Sequence, residues 1–271
     1  MALYQWQNTL EQRTVPVVCV DYLHFARRVY GQNDARWFDA GTLLSTCRQA
    51  QQGIKPEVML FPVLEWIAAW WQAHGGAKPQ ASRPTKALKL ALENAALLTA
   101  LCEVLNALGT LNRADAAIAL DLGSSEEWLR WIDPATPLKD SVDEGDAEDI
   151  CVYLSALAHK LPATAFGSLF LQQKLPIDGD ASVAFDPLVN TTRHFGWSLV
   201  LCTQDHANVP EGFALVASAQ PQGTQGLWAD EGLWTGTASA RGARFVVGTL
   251  PERARPETVL AALNQLRHTG A

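Results

Sequence analysis

The sequence lacks the short motifs that identify several common classes of enzyme. It contains no GxxxxGK[ST] loop, no GxGxxG turn after a strand, no GxSxG elbow and no HExxH helix. Each of these motifs is specific because it places named atoms at a defined turn or helix face. Their absence argues against a P-loop NTPase, a Rossmann dehydrogenase, an α/β-hydrolase and a zincin, and it predicts chemistry without a nucleotide cofactor.

Cysteines are few and scattered, and no apolar run is long enough for a membrane span. The odd-numbered set contains no CxxC pair and consists of Cys19, Cys47, Cys102, Cys151 and Cys202. This pattern favours reduced thiols in the cytoplasm over a disulfide framework or a structural zinc site. The N-terminal residues 1–18 show no secretory signal, and the apolar runs fall short of the ~18–20 residues that a membrane span needs. We therefore expect a cytoplasmic protein with no membrane partner.

Positive charge is also scarce. The formal net charge is −7, and basic residues do not alternate with aromatic ones in any segment. Nucleic-acid binding needs a basic face that tracks phosphates. The sequence therefore predicts no nucleic-acid partner.

Apolar and aromatic residues, in contrast, are abundant. Hydrophobic residues make up 48% of the 271 positions, and ten tryptophans stand against two methionines. Trp66, Trp70 and Trp71 lie at i, i+4 and i+5, a helical stripe that usually packs in a core. An aromatic pocket wall and a subunit interface remain open, and with the interface a homodimer.

Short apolar runs alternate with helical patterns along the whole chain. The runs that we interpret as strands are 15–22, 57–63, 116–122, 164–171, 198–203, 213–218, a weak one at 233–238, and 244–248. Alternation of this kind implies parallel strands, and eight of them in about 270 residues is the arithmetic of a (β/α)₈ barrel. We predict one α/β barrel domain over residues 1–271, irregular in its last three units, with an open doubly wound sheet as the alternative.

The helical patterns include one long segment and one marked by proline. Thr85–Leu108 is rich in alanine and leucine and predicts a single long helix. Asp186 followed by Pro187 predicts a helix start, because proline is favoured at the first helical position. Gly53 is expected to stop the helix that begins at Phe38.

Chemistry in a barrel lies at the carboxyl ends of the strands, and this position selects the candidate residues. The candidate catalytic residues are Asp21, His24, Asp121, Asp205 and His206. Carboxylates and imidazoles on one rim suit general acid–base catalysis or metal binding, although the sequence decides neither a metal nor a cofactor. Turn and cap roles remain open for the aspartates, and a solvated or core position remains open for His24.

Further polar residues at the strand ends are candidates for substrate binding. These are Tyr22, Arg27, Arg28, Gln172 and Gln204. Arginine forks match carboxylates, so the two arginines predict a small anionic ligand, with surface solvation as the alternative.

Three segments resemble the uroporphyrinogen decarboxylase and cobalamin-dependent methyltransferase superfamily of barrels. They are TVPVVCVD at Thr14–Asp21, FDPLVNTTRHFGWSLVLCT at Phe185–Thr203 and FVVGTLPERARPETVLAAL at Phe245–Leu263. The resemblance is confined to these three segments. It implies a barrel with lyase or transferase activity.

The chain departs from this family at two of its functional motifs. The arginine-rich loop of the decarboxylases, of the type RQAGRY, is replaced by DYLHFARRVY at Asp21–Tyr30. The His-x-Cys zinc pair of the methyltransferases has no counterpart, because Val200 stands two residues before Cys202. The resulting hypothesis is a lyase or transferase barrel acting on a small-to-medium anionic substrate, and the alternative is a catalytically degenerate barrel that serves interaction or assembly.

Overall fold

A computed structural model describes residues 6–30, 38–74, 76–112, 116–136, 140–204, 209–219 and 226–268. A 3₁₀ helix, Trp6–Gln12, comes first. The strands are β1 (Val17–Asp21), β2 (Val58–Pro62), β3 (Ala117–Ser124), β4 (Val142–Asp143), β5 (Ser168–Gln173), β6 (Ile177–Asp178), β7 (Ser198–Thr203), β8 (Leu215–Ser218), β9 (Gly226–Trp228) and β10 (Phe245–Thr249). The helices are α1 (Leu23–Tyr30), α2 (Ala40–Ile54), α3 (Val63–Ala73), α4 (Pro84–Leu92), α5 (Ala95–Gly109), α6 (Ser125–Ile132), α7 (Glu144–Ala158), α8 (Ala181–Phe195), α9 (Glu231–Thr235) and α10 (Pro256–His268).

Eight of the strands form a closed parallel barrel in the order β1-β10-β9-β8-β7-β5-β3-β2. The first and last strands pair along their whole length, from Val17 opposite Phe245 to Asp21 opposite Thr249. The prediction of a (β/α)₈ barrel is confirmed, and the open sheet is excluded. The last units are irregular as expected, since α9 between β9 and β10 spans only five residues.

The barrel has two buried layers that follow the two-residue period of its strands. On β1, Val17 and Cys19 point into the barrel, whereas Val18 and Val20, together with Tyr22 directly after the strand, pack against the surrounding helices. The fold thus separates side chains that can reach the inside of the barrel from those that can only support it.

The N-terminal 3₁₀ helix closes the amino end of the barrel. Trp6 is fully buried among barrel-interior residues, with its ring centroid 6.0 Å from that of Phe170 and 5.6 Å from that of Phe245. Its indole Nε1 donates to the Ser168 hydroxyl at 3.1 Å. This plug leaves the carboxyl ends of the strands as the open face.

Residues 85–108 form two helices, not the single long helix that was predicted. The helical conformation is interrupted at Glu93 and Asn94. The Asn94 side chain accepts a hydrogen bond from the Leu97 amide at the start of α5. Asparagine favours helix caps because its side chain competes for backbone donors. A capping residue inside an apolar pattern therefore overrides the periodicity.

Three other local predictions are also wrong. Helix α8 begins at Ala181 behind an Asp180 cap, so Pro187 lies inside it. Residues 231–235 are helical, and the seventh barrel strand is Gly226–Trp228. Helix α2 runs through Gly53 and ends at Ile54, and its C-cap Lys55 adopts a left-handed conformation with φ 46°.

In the described part of the chain, no helix is long and apolar enough to span a membrane.

Candidate active site

Two buried aspartates lie at the open, carboxyl end of the barrel, on the two strands that flank β2. Asp21 ends β1 and is 1% exposed, and Asp121 lies on β3 and is 7% exposed. Both fall on the inward-facing side of their strands, in phase with Val17 and Cys19 on β1 and with Ala119 on β3. We call the opening around these residues the mouth, and Asp21 with Asp121 the acid pair.

Asp21 is held through one of its two carboxyl oxygens. Its Oδ1 accepts a hydrogen bond from the Leu23 amide at 2.8 Å, and the described residues place no donor on Oδ2. Burial raises the pKa of Asp21 to about 7; the Leu23 amide opposes this rise, whereas Glu65 adds to it and Asp121 does so to a smaller extent. Asp21 can therefore exist in either protonation state near neutral pH.

Asp121 is held through both carboxyl oxygens. The Gly123 amide donates to Oδ1 at 3.0 Å, and the side-chain amide of Gln172 on β5 donates to Oδ2 at 2.8 Å. Burial raises the pKa of Asp121 to about 6, and these two hydrogen bonds limit the rise because they stabilise the charged form. The acid pair thus contains two carboxyls in different settings.

His24 and Glu65 form an ion pair on the rim of the mouth. His24 Nε2 lies 2.6 Å from Glu65 Oε2, and both side chains are partly exposed. The hydrogen bond from Glu65 raises the pKa of His24 above its usual value. The pair also acts electrostatically on Asp21, whose carboxylate is favoured by His24 and disfavoured by Glu65.

A second group of carboxyls lies where β3 passes into α6. Ser124 caps α6, and Glu127 Oε2 accepts from the Ser124 amide and hydroxyl, both at 2.9 Å. Glu127 also pairs with Lys174 at 2.5 Å. Glu126 is 3% exposed, and burial raises its pKa.

A groove of about 610 Å³ runs between the segments that follow β5 and β7. Lys174, Thr203 and Gln204 contribute to its lining, so the predicted substrate-binding residue Gln204 faces this groove. Asp205 and His206, both predicted as catalytic, lie outside the described residues.

Three of the predicted substrate-binding residues have other surroundings. Tyr22 is fully buried in the helix layer and donates to Met59 Sδ at 3.2 Å, so the role predicted for it does not fit its position. Arg28 donates to the Ala254 carbonyl and lies over the Phe25 ring. Arg27 lines a separate groove of about 370 Å³ together with His24 and Glu65.

Metal binding gains no support from the described residues, which contain no group of three or more His, Cys, Asp or Glu side chains that could hold an ion. All five cysteines are free thiols.

Sequence reasoning missed four residues around the mouth. Glu127 and Lys174 form an ion pair beside Asp121, and Glu126 is buried next to them. Trp228 ends β9, is half-buried and packs against the barrel interior. The two glutamates could be interpreted from sequence only as a helix start, but the inward position of Trp228 follows once β9 is identified.

Comparisons with known proteins found one distant structural likeness and no match in sequence. No protein-family model matches the sequence, and no curated protein is significantly similar to it. One solved structure to which the chain is similar is that of the apo form of the homocysteine methyltransferase MmuM from Escherichia coli. The identity is 11%, the likeness covers 95% of this chain and 97% of that chain, and the TM-score is 0.37. A likeness this distant carries no argument about fold or activity.

Proposed function

We propose that this barrel is an enzyme whose central chemistry is proton transfer by the acid pair, Asp21 and Asp121. The observation that carries the proposal is the placement of two buried carboxyls, with pKa values raised to about 7 and about 6, at the carboxyl ends of barrel strands. General acid–base groups act best when their pKa lies near the working pH.

The different environments of the two carboxyls divide their roles. Asp21, with the higher pKa and one oxygen without a donor among the described residues, is the general acid. Asp121, held on both oxygens by N–H groups, remains ionised to lower pH and is the general base. Pairs of carboxyls whose environments separate their pKa values commonly divide the work in this way.

The substrate is a small-to-medium anion, and the reaction is of the lyase or transferase type. His24 and Arg27 on α1 and Lys174 after β5 are cationic groups near the rim, where a carboxylate or phosphate would bind. A protonated Asp21 reduces the negative charge at the mouth, so an anion can approach the acid pair. The family resemblance in sequence favours the same two reaction types.

Turnover of small molecules tests the proposal. The purified protein is incubated with an extract of small metabolites, and substrate loss is followed by mass spectrometry. We expect loss of at least one carboxylate- or phosphate-bearing compound, slowed by about 100-fold or more in Asp21→Asn and in Asp121→Asn. Asp178→Asn, an exposed site on β6, serves as the matched control.

Two results would count against an acid-pair enzyme. One is loss of the compound at the same rate in the protein and in both mouth variants, which would place the chemistry elsewhere. The other is the absence of any consumed compound across extracts of different composition.

An interaction protein built on the same barrel is supported less well. An interaction protein would be expected to expose a patch of tryptophans on its surface. Of the nine tryptophans in the described ranges, seven are buried and Trp131 and Trp228 are half-buried.

A further inference from the structure

We propose that Gln172 is a positioning residue, which holds Asp121 as the proton-accepting member of the acid pair. The inference rests on the proposed function and deepens it. It assigns Gln172 a role that acts through Asp121, whereas sequence reasoning placed this glutamine among the residues that contact substrate.

The contact between the two side chains joins neighbouring strands of the barrel. Gln172 Nε2 lies 2.8 Å from Asp121 Oδ2, and its donor hydrogen can only favour an acceptor oxygen. Because Gly123 already donates to Oδ1, the glutamine completes a pair of donors, one on each oxygen. A carboxyl held in this way is fixed in orientation as well as in charge.

A bulge in β3 lies between Asp121 and the residue that pairs with Gln172. Asp121 pairs with Phe170 and Ser124 pairs with Gln172, so β3 uses three steps where β5 uses two. The extra residue is accommodated at Gly123, whose φ of +68° lies in the left-handed region that glycine adopts without strain. Bulges beside functional sites commonly change the direction of a side chain. This bulge also contains the Gly123 amide, which donates a hydrogen bond to Asp121.

The glutamates that act on Asp121 oppose its ionisation. Glu127 on α6, which pairs with Lys174, and Glu65 on α3 raise its pKa. Asp21 on β1 and the Cys202 thiol on β7 lie within electrostatic reach of Asp121, whose charge raises the pKa of each. Against the glutamates and against burial, the opposing contributions are the hydrogen bonds from Gly123 and Gln172. Gln172 is the only side chain among these donors, so it is the one that substitution can remove.

A titration of the carboxyl carbons in the ligand-free protein tests this role. Aspartate labelled with ¹³C at the side-chain carboxyl is followed by NMR from pH 3 to pH 9, with signals assigned from Asp21→Asn and Asp121→Asn. Gln172→Met keeps the length of the side chain and removes the donor. We expect the midpoint of Asp121 to rise by about one pKa unit, because the hydrogen bond stabilises only the charged form.

Two further variants make the result unambiguous. Gln173→Met alters the next residue of β5, which lines the groove between the segments that follow β5 and β7. It should leave the Asp121 midpoint unchanged. Gln172→Glu keeps length and polarity for the case in which the methionine variant fails to fold, and it should raise the Asp121 midpoint further because two facing carboxylates repel each other.

An unchanged Asp121 midpoint in either folded variant would overturn the proposal. A lower melting temperature without a shift in midpoint would also overturn it, since that is the result expected of a packing residue. The titration needs no substrate, so it can succeed even where the metabolite experiment fails, and the two failures are distinguishable.

Discussion

At the residue scale, Asp21 is a buried carboxyl whose burial makes protein stability depend on pH. Its pKa rises from the usual 3.8 to about 7 in the folded protein, so the folded state binds more protons than the unfolded state between these values. Stability therefore falls as pH rises through this window. At about 1.4 kcal/mol per unit, the loss is on the order of 4 kcal/mol.

Replacement of Asp21 by asparagine should remove this dependence. The asparagine side chain keeps an oxygen that can accept from Leu23 but carries no charge. We expect Asp21→Asn to unfold with the same free energy as the original protein at pH 4, and to be more stable by up to about 4 kcal/mol at pH 8. Urea denaturation at the two pH values measures this. A variant less stable than the original at pH 8 would identify Asp21 as a structural carboxylate.

His24 owes its raised pKa to its partner on α3. The Glu65 carboxylate accepts from the imidazole at 2.6 Å and favours the protonated ring. We expect His24 to titrate above 6.5 in NMR spectra, and Glu65→Gln to lower that midpoint. Glu93→Gln, at an exposed site after α4, is the control and should leave the His24 midpoint unchanged. A His24 midpoint that is the same in both variants as in the original protein would contradict the ion pair.

Sequence predicted the placement of the acid pair but not its hydrogen bonds. The ends of β1 and β3 could be identified from apolar runs, and barrel geometry then brings Asp21 and Asp121 to one end. The bond between Gln172 and Asp121 joins residues 51 apart and depends on a bulge that no local pattern predicts. Tyr22 was assigned to the site although it directly follows Asp21, and the two-residue period turns it to the opposite side of the strand.

At the scale of elements, Asn94 divides a segment that its composition predicts to be one helix. The side chain supplies an acceptor to the first turn of α5, a contribution of about 1 kcal/mol. We expect Asn94→Ala to lower the free energy of unfolding by about that amount, measured by urea denaturation. Asn190→Ala, at an exposed site within α8, is the matched control. Equal effects of the two substitutions would contradict the capping role.

In the second half of the chain, a second capping residue and a very short strand led the sequence predictions astray. Asp186–Pro187 is a helix-start signal, but Asp180 supplies the actual cap and its side chain accepts from Ser182 at 2.9 Å. Strand β9 has only three residues, and one is Gly226, which packs so closely on the Phe245 ring that a Cβ would lie 2.3 Å from it. A strand of three residues that includes a glycine is too short to show an apolar pattern in the sequence.

At the scale of the whole molecule, the plug at the amino end supports the mouth at the carboxyl end. Trp6 belongs to the same barrel-interior cluster as Cys19 and Cys202, and the Cys202 thiol lies within electrostatic reach of Asp121. Trp6→Ala should cost about 3–5 kcal/mol, because it leaves a large cavity in a closed barrel. Trp6→Phe keeps a ring but loses the donor to Ser168, and should cost less.

Chemical denaturation of both plug variants gives the comparison. A loss below about 1 kcal/mol for Trp6→Ala would mean that the N-terminal 3₁₀ helix is not part of the barrel core.

The proposed function depends on two carboxyls that titrate near neutral pH at the mouth. The most direct measurement is the ¹³C carboxyl titration of the unmodified protein. We predict midpoints of about 7 and about 6 for the acid pair, and a fall in the Asp21 midpoint in Asp121→Asn as the repulsion from the Asp121 carboxylate is removed. If both aspartates instead titrate near about 4, in the range of solvated carboxyls, they cannot serve as an acid–base pair and the proposed function is contradicted.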